Sequence, residues 1–427
     1  MNKLGWIASL ALVAVAAVDA AAAERWPQWR GSEQNGYAAG GPFPVQWSAD
    51  AGFEWRIDPP GRGGSTPVHA EGKIYITAGV DGVNHLLAYD AANGKPLWDR
   101  QLGEERVSKH GKNHRKGSGS NPSVVIDQGQ LYAYYRSGDL ASVSPDGEVR
   151  WHVNLQDRYG EDTLWWNLGT SPIPTDKAIV VAVMQSDNSY LAALDKNSGD
   201  EVWKVARNLG APVEAEHSYT TPLLLEVDGR QTIAVLGADH LTLHSVDDGQ
   251  TLGKLGGFNP AGEQFFRSIA SPVATDGIIL CPYARGETLT AVRASDLLAG
   301  KGQDAIAWFR DDLGADVPTP AAHEGKFFVL RDKSALVCVD AKTGKDLWQT
   351  ELPRSRHSFT ASPLVTDRYV YATQEDGTTF VIDRQSHEVV QTNEAADQDP
   401  FTVSSLVPIE QDLLLRTPKQ MLRISGR

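Results

Sequence analysis

The sequence predicts an all-β chain folded as an eight-bladed β-propeller of four-stranded antiparallel blades, with the ring closed by an N-terminal strand. Three observations lead there. First, a small-residue–Pro anchor followed by apolar residues recurs as TPV (66–68), NPSV (121–124), SPIP (171–174), TPLL (221–224), SPVA (271–274), TPAA (319–322) and SPLV (362–365), with a degenerate eighth copy, SSLVP (404–408). Second, from Pro67 to Pro363 the prolines step by 55, 50, 50, 50, 48 and 43 residues, a period long enough for several strands per copy. Third, 40 Gly, 23 Pro and 12 Trp among 427 residues supply many tight turns and large aromatic anchors.

Taken in order, residues 1–23 have a single Lys, an apolar stretch and a small-residue tail, the layout of a signal peptide cleaved near Ala23. No later stretch is long and apolar enough for a membrane span, so the mature chain (24–427) is expected to be exported, periplasmic or secreted, without membrane insertion, and monomeric. Residues 24–46, with Trp26, Trp29 and Arg30, read as a latch against the barrel, because two tryptophans left in water are costly. GFEWRID (52–58) reads as an orphan fourth strand with Trp55 in the repeat position.

Within each copy the anchor opens an inner strand. An alternating run follows, as in KIYITAG, QLYAYYR, AIVVAVM, KFFVLRD and YVYATQE. A third strand ends at Asp and a Gly-containing turn, as in LLAYDAANG, LAALDKNSG and ALVCVDAKTG. A fourth carries Trp98, Trp151, Trp203, Trp308 or Trp348, each placed to fill the space between neighbouring blades and to give its N–H to a backbone acceptor. Copies four and seven have Leu252 and Val390 near that position, and copy five carries an insertion, DLLAGKGQD. The eighth copy lacks a fourth strand before Arg427, and residues 52–58 are expected to supply it, removing a free sheet edge.

The spacing Ala88–Asp90–Gly94–Trp98, repeated at Ala193–Asp195–Gly199–Trp203 and kept in Asp340–Gly344–Trp348, resembles the tryptophan-docking repeat of the quinoprotein-like (PQQ-like repeat) propellers. That family includes noncatalytic outer-membrane assembly scaffolds. ERWPQWRGSEQNG (24–36) is similar to the leader of exported planctomycete-type members. For the dehydrogenases of the family, the resemblance implies pyrroloquinoline quinone (PQQ) and calcium on the axis beside an adjacent Cys–Cys ring. Here the two cysteines, Cys281 and Cys338, are 57 residues apart, no C-x-x-C-H motif occurs, and the family's calcium ligands and catalytic Asp have no matching positions. No cofactor and no metal are therefore expected, with PQQ plus calcium as the alternative. Whether the cysteines are bonded is open from sequence.

The net charge of −14 argues against nucleic acid as a partner. No zinc helix, nucleophile elbow or Walker loop occurs. The segments just before the anchors lie where the chain returns to the innermost strand, at one mouth of the channel. They carry Arg62, Lys116, Trp166, Asn167, His217, Tyr219, Arg267, Asp316, Arg356 and His357, a polar, cation-rich ring able to bind an anionic or sugar-like ligand. The connection 99–120 adds Lys109, His110, Lys112, His114 and Arg115, a solvated loop or a lip that steers anions. The function expected from these residues is a noncatalytic binding or protein-interaction propeller acting on an envelope protein or a small ligand. The alternatives are a calcium-dependent PQQ dehydrogenase and a hydrolase or lyase using His217 or His357.

Overall fold

The structure, a computed structural model, describes residues 25–106, 117–333, 335–395 and 401–426. The expected leader, Lys116 and the basic run before it lie outside the described residues.

Each repeat becomes one antiparallel sheet because its strands are short, alternate apolar and polar residues, and are separated by turns too tight for anything but hairpins. The first blade is formed by Val68–Ala70, Lys73–Val80, Val83–Asp90 and Pro96–Glu104, hydrogen-bonded in chain order. Six further blades follow along the chain in the same way. The eighth takes Val407–Ile409, Asp412–Arg416 and Met421–Ile424 from the C-terminal end, and its outermost strand is Phe53–Ile57. Ile57 pairs with Met421 and Phe53 with Ile424, so the ring closes as the orphan strand predicts.

The Asp-x-x-x-Gly spacing has a local cause. The Asp195 carboxylate accepts the backbone N–H groups of Asn197 (2.8 Å) and Ser198 (3.0 Å), and Gly199 N–H closes the turn on the Asp195 carbonyl at 2.9 Å. Asp90 and Asp340 cap their turns the same way. The Trp of the preceding blade then lies on that turn. Trp55, Trp98, Trp151, Trp203 and Trp308 donate their indole N–H to Ala91, Pro145, Lys196, Val246 and Ala341 carbonyls, at 2.8–3.0 Å. Where blade four has Leu252 instead, the insertion of blade five folds as a short helix, Ala294–Leu298, and Leu252 and Leu297 share one core cluster. Cys281 and Cys338 are buried free thiols in separate clusters. Among the described residues, no helix is long and apolar enough to cross a membrane.

Candidate functional site: a blind axial cavity

The inner ends of the blades are tied together by a ring of side-chain hydroxyls. Thr66 N–H donates to Ser123 Oγ, Ser123 N–H to Ser171 Oγ and Ser171 N–H to Thr221 Oγ1. The series continues through Ser271, Thr319, Ser362 and Ser405, and Ser405 N–H returns to Thr66 Oγ1; all eight distances are 2.9–3.1 Å. The Ser or Thr, not the proline, is thus the feature shared by all eight anchors. In NPSV the hydroxyl is Ser123, which follows its proline instead of preceding it, so Pro122 sits two residues out of register with Pro67.

The N-terminal segment, read as a latch against the barrel, crosses this channel. Trp26 pairs through its backbone with His69 of blade one, and Ile126 of blade two donates to the Pro27 carbonyl at 2.7 Å. The Gln34 side chain bridges Pro222 and Leu224 of blade four, the Asn35 carbonyl accepts Ala322 N–H of blade six, and Tyr37–Ala38 adds a parallel strand to Leu364–Thr366 of blade seven. The inner strands offer free backbone donors and acceptors along the axis, and the segment satisfies them. Arg30 is buried in this crossing, where it donates to the Pro320 and Asn35 carbonyls; desolvation pulls its pKa down to about 9. Trp29 faces one side of the crossing, while Gln28, Ser32 and Glu33 face the other.

Between Trp29 and the mouth lies a cavity of about 550 Å³ whose wall includes all eight ring hydroxyls. Its upper wall holds a connected polar network. Arg136, buried and paired with Asp162 at 3.1 Å, fixes the following loop by donating to the Leu164 and Trp166 carbonyls. That loop presents Trp166, whose indole N–H donates to Glu214 at 2.6 Å and whose backbone N–H donates to the Tyr219 hydroxyl. Arg267 makes a two-pronged pair with Asp316 (2.6 and 2.9 Å). Asp332 accepts the N–H groups of Asp316 and Val317, and burial, reinforced by the neighbouring Asp316 carboxylate, raises its pKa to about 6. Across the cavity the Thr360 hydroxyl donates to Glu375 at 2.5 Å.

Of the residues expected at the mouth, Trp166, Asn167, Tyr219, Arg267 and Asp316 line the cavity together. Arg62, His217, Arg356 and His357 do not. Arg62 joins Gly79 through a backbone bridge and is exposed. His217 is fully buried against Ser186 (3.0 Å) and the Trp165 ring, and desolvation lowers its pKa to about 4, so it stays neutral. Arg356 is exposed and donates to the His357 ring at 3.0 Å. Among the described lining residues four carboxylates, Glu214, Asp316, Asp332 and Glu375, stand against three cations, Arg267, Arg285 and Lys333. The wall is charge-balanced rather than cation-rich. The hydroxyl ring was signalled by the Ser or Thr of every anchor; Asp332 and Glu375 end the repeated second strands KFFVLRD and YVYATQE, a position that carried a signal, whereas Glu214 sits in a connection with no repeat signature.

The donor set does not fit PQQ with calcium. Among the described residues, no group of three or more His, Cys, Asp or Glu side chains is gathered to hold a metal ion. A quinone bearing several carboxylates would face the four wall carboxylates, with Arg267 already committed to Asp316 and only Arg285 and Lys333 as further cations.

The family profile described as outer membrane protein assembly factor BamB matches residues 37–168 and 292–415, more than half of the chain. No curated protein sequence matches. Among solved structures, BamB from Moraxella catarrhalis superposes with a TM-score of 0.60 at 15% identity, covering 87% of this chain and 98% of that one. A europium-containing methanol dehydrogenase gives 0.69 at 9% identity (92% and 89% covered), and the quinohemoprotein alcohol dehydrogenase from Comamonas testosteroni 0.62 at 11% (97% and 82%). At such identities the solved structures establish a fold shared by a BamB and by quinoprotein dehydrogenases. The chain belongs to the family described as outer membrane protein assembly factor BamB.

Proposed function

We propose that this protein is an exported, noncatalytic binding propeller of the cell envelope, acting through its axial cavity. The blind cavity carries the reading. One end is occupied by the protein's own N-terminal segment, and Arg267 is paired internally. The remaining wall offers a belt of hydroxyls, amides and aromatic rings beside carboxylates held by backbone N–H groups, by the Trp166 indole and by Thr360, an arrangement suited to binding. The family description, an assembly factor, supports an envelope setting, and the leader-like residues 1–23 support export with the mature chain starting at Glu24. A protein partner would meet the rim where Val213 and Phe265 stand exposed.

The test is a calorimetric titration of the mature chain with PQQ and calcium, paired with a dye-reduction assay on alcohols. The binding-propeller reading expects neither stoichiometric uptake nor turnover. Stoichiometric uptake that Arg267→Ala abolishes, together with alcohol-dependent dye reduction, would replace it with the dehydrogenase.

A further inference from the structure

We propose that the axial cavity is a carbohydrate site, taking a neutral mono- or disaccharide between Trp29 and the carboxylates of the upper wall. This deepens the binding-propeller reading and rests on it.

The chemistry of the wall selects the ligand. Each ring hydroxyl uses an oxygen lone pair to accept the N–H of the preceding blade, as Ser171 does for Ser123. A hydroxyl also has a proton to give. Among the described residues no hydrogen bond engages the protons of this ring, and the space the hydroxyls line is the cavity. The lower wall is therefore a belt of neutral donors. The upper wall is the opposite, with acceptors on Asp332 and Glu375 held by backbone N–H groups and by Thr360. The four carboxylates and three cations of the wall leave no net field that selects a charged ligand, and a cation would leave the hydroxyl belt unmet. A polyhydroxylated ring both donates and accepts at every position, so it serves both walls.

The aromatic surface fits the same class. A sugar presents a C–H face as well as hydroxyls, and an indole covers that face while its surroundings hydrogen-bond the edge. Trp29 lines the cavity at its closed end, with the Arg30 guanidinium carbon 5.7 Å from the ring centroid. Arg30 is in turn anchored on the Pro320 and Asn35 carbonyls, so the aromatic floor is fixed before any ligand arrives. Trp166, whose N–H is held by Glu214, adds a second indole on the wall. The volume of about 550 Å³ lies within the range of small-molecule sites.

The experiment is a titration of the mature protein at pH 7.5, followed by calorimetry and by intrinsic tryptophan fluorescence. The probes are glucose, galactose, maltose, cellobiose and N,N′-diacetylchitobiose, with citrate and spermidine as anionic and cationic controls. Saturable binding of at least one saccharide is expected, weakened on the order of tenfold by Trp29→Ala and by Asp332→Asn. Trp29→Phe, which keeps an aromatic floor, should retain part of the affinity and guards against a folding defect in the alanine variant. Binding of citrate or spermidine alone would overturn the carbohydrate assignment while leaving a binding propeller standing. Saccharide binding indifferent to Trp29→Phe, Trp29→Ala and Asp332→Asn would overturn it as well, and so would silence with every probe. The quinone titration judges the underlying reading separately.

Discussion

The Trp203 indole of blade three donates its N–H to the Val246 carbonyl of blade four at 3.0 Å, and the same ring lies against Gly249, where an added Cβ would stand 2.6 Å from it. Gly249 has φ +72°, so the turn requires the glycine both for its backbone and for the room its missing side chain leaves. The contact is a joint between blades, and a propeller's cooperativity runs through such joints. Trp203→Ala should cost roughly 3–5 kcal/mol as a large-to-small core change. Gly249→Ala should also lower the melting temperature, by strain and overpacking. A thermal melt unchanged in both variants would refute the joint.

Blade seven solves the same turn differently. His387 occupies the glycine position with φ 62°, its N–H closing on the Asp383 carbonyl at 2.8 Å, and its ring stacks on Trp348 with centroids 4.9 Å apart and planes 12° from parallel. A side chain at positive φ is strained, and the stacking offsets that strain. His387→Gly exchanges one term for the other and should change stability little. His387→Val, β-branched at positive φ and without the stack, should be clearly the worse of the two in urea melts. Equal stability of the two would show that the backbone conformation there imposes nothing.

These joints are also why the blades were legible in the sequence. Asp, Gly and Trp recur because each mediates a contact between one blade and the next, and repetition turns a weak local signal into a firm one. The closing strand 52–58 was readable for the same reason, since Trp55 meets Ala91 as its counterparts meet their own turns. The site was only partly legible. A repeat places a backbone segment at the mouth but does not say which way its side chain turns. Arg62 and Arg356 are exposed outside the cavity and His217 is buried against Ser186 and Trp165, whereas Arg267 and Asp316 line the cavity and neutralise each other. The hydroxyl ring was masked by the more conspicuous prolines. The crossing of residues 26–38 has no repeat to announce it, because it occurs once.

The hydroxyl ring carries its own prediction. Thr221→Val keeps the shape of the side chain but removes the acceptor of Ser171 N–H, which is buried. A buried N–H left without a partner costs about 1–3 kcal/mol. Thr221→Ser keeps the oxygen and should be milder. If the valine variant melts with or above the serine variant, the ring does not hold the blades together.

The two N-terminal tasks are separable. A chain beginning at residue 39 loses the axial crossing but keeps Phe53–Ile57 in blade eight, so it should remain monomeric while its channel opens. A chain beginning at residue 59 also leaves Met421–Ile424 as a bare sheet edge, and should form oligomers or aggregate. Size-exclusion chromatography distinguishes the two. A monomeric chain from residue 59 with an unchanged melt would rule out closure by that strand.

Stability should fall on mild acidification, because the largest shifts are those of buried histidines rather than of carboxyls. Burial lowers His69, His217 and His244 to about 4 from an ordinary 6.5. His244 shows why the charged form is resisted. Its Nδ1–H donates to the Gly249 carbonyl, and its Nε2 meets Thr242 Oγ1, which already accepts from Arg207, so a second ring proton would be driven toward an occupied oxygen and a buried guanidinium. The unfolded chain takes up protons at these rings as pH falls through 6.5 while the folded chain does not, so their contribution is complete above 6.5 and is lost toward 4. Asp332 acts in the opposite sense. Its folded pKa of about 6 exceeds the ordinary 3.8, so its contribution is complete below 3.8 and is lost as pH rises through 6. His240 and His323 are lowered as well, and Glu105, Glu216 and Asp239 are raised, all by burial; with the three large histidine shifts against the one large carboxyl shift, the melting temperature should drop between pH 7 and pH 5. His244→Gln, which retains a donor for Gly249, should flatten that drop, and Asp332→Asn should steepen it. A melting temperature level across the interval in the unaltered protein, or the two variants shifting the slope the other way, would contradict the assignment.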